Sequence, residues 1–200
     1  MMKKIFYLLL GMAFPLTGFS QCDKASVTTF QEKINSEFAN AEESPLKEKD
    51  RKSFKTLDFF PVDLKYCVTA RLVKSTDEKP FTMPTTGTRK PLYVKYGELS
   101  FKIDSKDYKL NVYRNLELAK MEKYKKYLFL PFTDLTSGVD SYGGGRYIDL
   151  EIPDGDSITI DFNKAYNPYC AYNEGYSCPI PPQANDLKVE IRAGVKAFHK

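Results

Sequence analysis

Apolar residues near the N-terminus recur at helical spacing. In the segment SVTTFQEKINSEFANAEE they lie three or four positions apart, at Val27, Phe30, Ile34 and Phe38. This spacing is typical of an amphipathic helix that buries one stripe. Thr29 and Glu32 have the spacing of a capping box, and Ser26 is a competing start. The charged segment that follows, AEESPLKEKDRKSF, contains a proline and predicts a connector or a second short helical turn.

From Thr56 onwards the pattern changes to strict alternation broken by turn residues, which predicts strands. The clearest unit is a hairpin in which GELSFKID and YKLNVY are the strands and DSKD is the turn. Further strands are predicted at LKYCVTARLV, PLYVKY, YLFLPF, RYIDLEI, SITIDF and LKVEIRA. About eight short strands with regular turns favour a mainly β fold, an antiparallel sandwich or small barrel, with the one N-terminal helix over an end or edge.

The first residues, MMKKIFYLLLGMAFPLTGFSQ, have the layout of a secretory signal peptide. Two lysines precede an apolar run that is too short to cross a bilayer, and small residues stand at cleavage spacing before Gln21. We therefore expect a signal peptide over residues 1–20 and export to the periplasm, the cell surface or the medium. A lipoprotein anchored at Cys22 is the alternative, although Gln21 is not the small residue that such processing requires. The remaining chain divides into the helix with its connector, residues 21–55, and a single β-rich domain, residues 56–200.

Charge and histidine content exclude several function classes. The formal net charge is +4, and it falls to +2 when residues 1–20 are removed, which is too small to indicate a nucleic-acid partner. No further apolar run is long enough for a transmembrane segment. The single histidine, His199, lies next to the C-terminus, which argues against a Ser-His-Asp site and against a histidine-rich metal site. The sequence contains no Walker loop or dinucleotide fingerprint, so we expect no cofactor and no metal.

The four cysteines are interpreted through the predicted export. Cys170 and Cys178 are close enough in sequence to staple a loop, and an oxidising compartment favours a disulfide between them. A metal site that combines these thiols with nearby carboxylates is the alternative, and it is a weak one without histidine. Cys22 and Cys67 either form a second disulfide or leave Cys67 buried and free.

Candidate chemistry lies first in PFTDLTSGVDSYGGGRYIDL. Consecutive glycines before Arg146 allow the backbone to approach a ligand closely, and their N–H groups beside a guanidinium suit a carboxylate or phosphate. The structural alternative is a hairpin turn in which Arg146 pairs with Asp134 or Asp161 inside the fold.

A second candidate lies at the end of the strand SITIDF. Alternation places Ile158, Ile160 and Phe162 on one face and directs Asp161 and Asn163 towards solvent or a polar cavity. Asp161 and Asp134 are a candidate acid/base pair. The alternative is that Asp161 and Asn163 cap and brace the long loop that follows.

Long stretches of the chain resemble the bacterial domain-of-unknown-function family 1684. The stretches are PFTDLTSGVDSYGGGRYIDL and DFNKAYNPYCAYNEGYSCPIPPQANDLKVEI, with a shorter likeness in FKTLDFFPVDLKYCVTARLV. The positions that match the family's pattern are Phe132, Asp134, Thr136, Gly138, Tyr142, Gly143, Gly145, Arg146, Asp161, Phe162, Asn163, Ala165, Tyr166, Asn167, Pro168, Cys170, Cys178, Pro179, Pro181, Pro182 and Asn185. The chain departs from the pattern at Val195, where relatives often have glutamate. The resemblance supplies no activity.

Taken together, these observations predict an exported β-domain that binds a small polar or anionic ligand. The candidate ligand-binding residues are Asp134, Tyr142, Arg146, Asp161, Asn163, Tyr166 and Asn167. Two alternatives remain, a hydrolase that uses carboxylates or a cysteine, and a structural or interaction domain of the cell envelope. The sequence does not decide whether the protein is an enzyme, and it does not predict an oligomeric state.

Overall fold

The computed structural model describes residues 22–198. The predicted signal peptide, residues 1–20, and His199 lie outside these residues. Within the described part of the chain, no helix is both long and apolar enough to cross a membrane.

The N-terminal helix, α1, spans Lys24–Ala39 and buries Val27, Ile34 and Phe38 of the predicted stripe. Its start differs from both predicted caps, because Asp23 is the N-cap and its carboxylate accepts from the Ser26 backbone N–H at 2.7 Å. An aspartate at this position satisfies one of the free N–H groups of the first turn, so the capping box at Thr29 is not needed. A second short helix, α2 (Glu48–Ser53), lies in the charged connector.

Seven strands form one antiparallel sheet that curls into a half-barrel, which confirms the mainly β fold class. The strands are β1 (Cys67–Lys74), β2 (Phe81–Thr82), β3 (Leu92–Ile103), β4 (Lys106–Asn115), β5 (Tyr127–Phe132), β6 (Arg146–Glu151) and β7 (Ser157–Asp161). Their order across the sheet is β6-β5-β4-β3-β1-β7, and β2 pairs with β3. The predicted hairpin is β3–β4, and its turn residues Asp104 and Ser105 both have positive φ, as a tight hairpin turn requires.

Two details of the strand prediction were wrong. PLYVKY and GELSFKID are one continuous strand, β3, because a register shift between Lys95 and Gly97 accommodates the irregular pairing without ending the strand. LKVEIRA is not a strand. This C-terminal segment is irregular, with a bend at Lys188 and Val189, and side chains of other elements bind some of its backbone groups, as described below for Ile191 and Ala193.

The concave side of the sheet holds the main core. It contains apolar residues of six strands together with Leu187, Ile191 and Ala193 of the C-terminal segment. A second apolar cluster joins α1 to the loop after β7 through Phe38 and Tyr172, whose ring centroids are 4.7 Å apart. The helix therefore packs on the loop that follows the last strand.

Both cysteine pairs are disulfides. Cys22 is bonded to Cys67, with 5.8 Å between the Cα atoms, and this bond ties the start of α1 to the start of β1. Cys170 is bonded to Cys178, as predicted, and closes the loop after β7. The alternatives of a metal site at Cys170 and Cys178 and of a free Cys67 are therefore wrong.

The C-terminal segment makes one close approach that only glycine permits. Gly194 has φ of +78°, and a Cβ atom there would lie 2.5 Å from the Ala165 carbonyl oxygen and 2.9 Å from that of Phe162. The backbone carbonyl of Gly194 also accepts from the Phe60 N–H at 2.9 Å. Gly194 therefore packs closely against the loop after β7 and is hydrogen-bonded to the segment before β1.

We predict that Gly194→Ala lowers the free energy of unfolding by about 2 kcal/mol or more, because left-handed strain and backbone overlap act together. Gly155→Ala is the matched control, since its φ lies outside the left-handed region and no atom lies within 4 Å of the added methyl group. Urea denaturation of both variants measures the difference. Equal stabilities would contradict the close contact at Gly194.

Candidate functional site

Arg146 lies at the start of β6 and is completely buried. One terminal nitrogen donates to the Ala193 carbonyl, and the other donates to the Ile191 carbonyl at 2.8 Å and to Asp134 Oδ1 at 3.2 Å. Burial lowers the pKa of Arg146, and the neighbouring carboxylate of Asp134 opposes that shift. The sequence left two interpretations of Arg146, binding of an anionic ligand and pairing with an aspartate inside the fold. In the structure Arg146 is paired with Asp134.

Both oxygens of the Asp134 carboxylate accept hydrogen bonds. The carboxylate accepts from the Thr136 hydroxyl at 3.0 Å and from the Ile191 backbone N–H at 2.6 Å. The three glycines before Arg146 form a turn in which Gly145, with φ of +85°, lies against the Phe132 carbonyl, and its N–H donates to the Tyr142 carbonyl. This region connects β5, β6 and the C-terminal segment through buried charge-assisted hydrogen bonds.

Asp161 and Asn163 form a second corner, and both side chains are buried where solvent or a polar cavity was expected. The strand ends at Asp161, and the carboxylate accepts from the backbone N–H and the amide of Asn163 at 3.1 and 2.9 Å. Asn163 also exchanges two hydrogen bonds with the backbone of Asp63, each 3.0 Å long. The segment before β1 thus covers this strand end, and the bracing interpretation describes the observed contacts.

The predicted site residues therefore fall into separate groups. Asp134 contacts Arg146, and Asp161 contacts Asn163, whereas Tyr142 packs beside the apolar cluster under α1. Ligand binding by these residues stays a prediction. Tyr166 and Asn167 lie elsewhere, in the wall of an open cleft.

This cleft, which we call the tyrosine cleft, consists of two adjoining cavities that share Tyr166 and Tyr169. The helix-side cavity has a volume of about 180 Å³ and lies against α1, with Asp149 and Asn167 in its wall. The loop-side cavity has a volume of about 300 Å³ and lies between the convex face of the sheet and the disulfide loop. Its polar and aromatic lining includes Arg89, Tyr93, Tyr127, Tyr147 and Tyr176.

Strand β6 positions the cleft residues. Its alternation directs Ile148 and Leu150 into the core and Tyr147 and Asp149 to the opposite face. Tyr166 is held beside the strand because its backbone exchanges two hydrogen bonds with that of Tyr147, 2.9 and 3.0 Å long. The two rings stand at 90° with centroids 5.8 Å apart, an edge-to-face arrangement that is favourable for aromatic pairs.

Asp149 is the charged group of the cleft. Tyr127 and Tyr166 both donate their hydroxyl hydrogen to its Oδ1, at 2.8 and 2.7 Å. The other oxygen, Oδ2, accepts no hydrogen bond from the described residues, and the side chain is exposed. Although the residue as a whole is exposed, the protein around its carboxylate excludes part of the surrounding water, which raises the pKa of Asp149. The two phenol hydrogen bonds and the field of Lys33 oppose this shift.

Asp149 and most residues of the tyrosine cleft are not among the site residues predicted from the sequence. The available signal was the alternation of RYIDLEI, which places a carboxylate on the face of β6 opposite the core. The same signal is common on solvent-exposed strand faces, and only the folded chain brings α1 and the loop after β7 beside it. Among residues 22–198, no group of three or more histidine, cysteine or acidic side chains is placed to hold a metal ion.

Comparison with known proteins identifies the family. The family described as "Protein of unknown function (DUF1684)" matches residues 52–196, so the chain belongs to this family. The solution NMR structure of an uncharacterized protein from Haloarcula marismortui is 33% identical, with a TM-score of 0.67. The match covers 86% of this chain and 92% of that one. The search of curated proteins found no match.

We predict that Arg146→Met lowers the free energy of unfolding by about 3–5 kcal/mol, because it leaves the Asp134 carboxylate buried without its cation. Adding Asp134→Asn in the same chain should recover part of that loss. Lys102→Met is the control, since the Lys102–Asp107 pair lies at the surface with side chains 63% and 80% exposed and should contribute under about 1 kcal/mol. Chemical denaturation of the three variants measures these differences, and a loss for Arg146→Met as small as the control's would contradict a structural role.

Because its buried tyrosines have raised pKa values, we predict that the protein loses folding stability at alkaline pH. Burial raises the pKa of Tyr127, Tyr147 and Tyr166 above the value of about 10 that an unfolded chain has. Between that value and their folded pKa, the unfolded state releases protons that the folded state keeps, so stability falls as pH rises. Tyr166→Phe should flatten this fall by up to about 1.4 kcal/mol per pH unit. The free energy of unfolding of the variant and the wild type is measured by denaturation at several pH values above 10. An equal fall with pH in both proteins would contradict the raised pKa of Tyr166.

Proposed function

We propose that the protein is an exported binding module that holds a small polar ligand in the tyrosine cleft. The observation that carries the proposal is the position of Asp149, whose Oδ2 accepts no hydrogen bond from the described residues inside an aromatic cleft that is open to solvent. Ligand sites commonly combine apolar and aromatic walls with a small number of well-placed polar groups.

The walls of the cleft are held in place before any ligand arrives. Tyr147 donates its hydroxyl hydrogen to the Pro179 carbonyl, and its ring packs on Phe129 with centroids 4.8 Å apart. Tyr169 and Tyr176 pack edge to face at 5.1 Å, on the loop that the Cys170–Cys178 disulfide closes. A site whose side chains are already ordered loses less conformational entropy on binding.

In this proposal the residues predicted from sequence have two roles. Tyr166 and Asn167 contribute to the walls of the cleft, while the Arg146 and Asp161 groups hold the surrounding segments. The hydrolase alternative has less support, because the carboxylates of Asp134 and Asp161 are buried and accept hydrogen bonds from inside the fold. The described cysteines are all disulfide-bonded and offer no free thiol nucleophile.

Export supports the same interpretation. Two disulfides persist most readily in an oxidising compartment, and the N-terminal residues have the pattern of a signal peptide. An exported module with a rigid, solvent-open cleft is suited to capture a small molecule outside the cytoplasm.

We predict that a screen of sugars, organic acids, nucleotides, amines and divalent ions contains a class that raises the melting temperature of the mature protein. Because the chain has no tryptophan and six of its 14 tyrosines line the cleft, a change in tyrosine fluorescence is a second signal of binding there. Tyr169→Ala, at a residue that is 41% exposed and lines both cavities, should weaken binding about tenfold without unfolding the protein. Asp156→Asn, at an exposed residue outside the cleft, is the control.

No response to any class would overturn the binding module and favour the structural or interaction domain. Equal weakening by Asp156→Asn and Tyr169→Ala would place the binding site outside the cleft.

A further inference from the structure

We infer that the ligand of the tyrosine cleft carries a protonated amine, and that this amine donates a hydrogen bond to Oδ2 of Asp149. The inference rests on the proposed function and names the chemical class that the helix-side cavity selects.

The two oxygens of the Asp149 carboxylate have different surroundings. Oδ1 accepts both phenol hydrogens, from Tyr127 and Tyr166, and these bonds fix the orientation of the carboxylate plane. Oδ2 has no donor among the described residues. An ionised carboxylate is an acceptor only, so a group that binds at Oδ2 must supply a hydrogen.

The negative charge of Asp149 is also unpaired. None of the ion pairs among residues 22–198 includes it, and the nearby Lys33 pairs instead with Glu37 at 3.8 Å, with its own side chain 75% exposed. The phenols donate hydrogen bonds but carry no compensating charge. A neutral ligand that displaced water from this carboxylate would leave the charge partly desolvated, whereas an ammonium group would neutralise it.

The aromatic walls favour the same class of ligand. Phe30, Tyr166 and Tyr169 line the cavity that contains Asp149. The faces of aromatic rings attract cations through their quadrupole, and the attraction grows when water is excluded. Carboxylate and rings together therefore form a site for an ammonium group, while the loop-side cavity of about 300 Å³ has room for the rest of the molecule.

The test compares probes that share one body and differ in one group. NMR titrations at neutral pH with benzylamine, benzyl alcohol and benzoate present a cation, a neutral donor and an anion on the same ring. Glucosamine and glucose form a second matched pair with a polar body. We expect each amine to bind at least about tenfold more tightly than its neutral partner, because hydrogen bonds between charged groups are the stronger ones.

Asp149→Asn keeps an acceptor oxygen for the two phenols and places an amide N–H₂ where Oδ2 was, so it removes both the charge and the acceptor that an ammonium group requires. A neutral hydroxyl can instead accept from that N–H₂. The substitution should weaken the amines about tenfold while leaving the neutral probes within about twofold of the wild type. Tyr169→Ala should weaken every probe that enters the cleft.

The outcomes separate this inference from the proposed function. Neutral or anionic probes that bind as tightly as the amines, in a manner that depends on Tyr169, would overturn the amine and keep the binding module. Amine binding that Asp149→Asn does not change would also overturn the inference. Absence of binding by every probe and by every class of the broader screen would overturn both.

Discussion

The buried guanidinium of Arg146 joins segments that the pairing of the strands does not connect. Placing a charge inside a protein costs several kcal/mol unless hydrogen bonds and an opposite charge offset it. Here the offset comes from Asp134 on the loop after β5 and from two carbonyls of the C-terminal segment. One side chain thus holds three segments together, and the C-terminal segment is ordered without belonging to the sheet. Because Arg146 begins β6, the same contacts also hold the strand whose opposite face presents Tyr147 and Asp149 to the cleft.

Local patterns predicted the parts of the fold whose contacts are local. The β3–β4 hairpin followed from alternation, but its turn is shorter than the predicted DSKD, because Lys106 and Asp107 already pair with Ile103 and Lys102. The segment LKVEIRA has the same alternation, yet it is not a strand. Arg146 and Asp134, which lie more than forty residues away in sequence, bind three of its backbone groups through their side chains. A sequence pattern reports which residues are buried, but not which side chain will take a particular backbone N–H or carbonyl.

The candidate site shows the same limit. The polar residues of the family motifs were predicted to bind a ligand. Four of them form buried hydrogen bonds between segments, namely Arg146, Asp134, Asp161 and Asn163. Asp149 lies among the same residues and carries no unusual pattern of its own. Its significance arises only when Tyr127 of β5 and Tyr166 of the loop after β7 donate to one of its oxygens and leave the other open. Three segments that are distant in sequence create that environment.

The cleft combines residues inside and outside the range that the family shares. Asp149 and the tyrosines lie within residues 52–196, whereas the helical wall, with Phe30 and Lys33, precedes that range. A disulfide from Cys22 to Cys67 and the packing of Phe38 on Tyr172 attach this wall to the domain. The carboxylate and its phenols therefore belong to the shared domain, while α1 determines how far the helix-side cavity is closed. The charged group of the cleft and its helical wall are in this way supplied by two different parts of the chain.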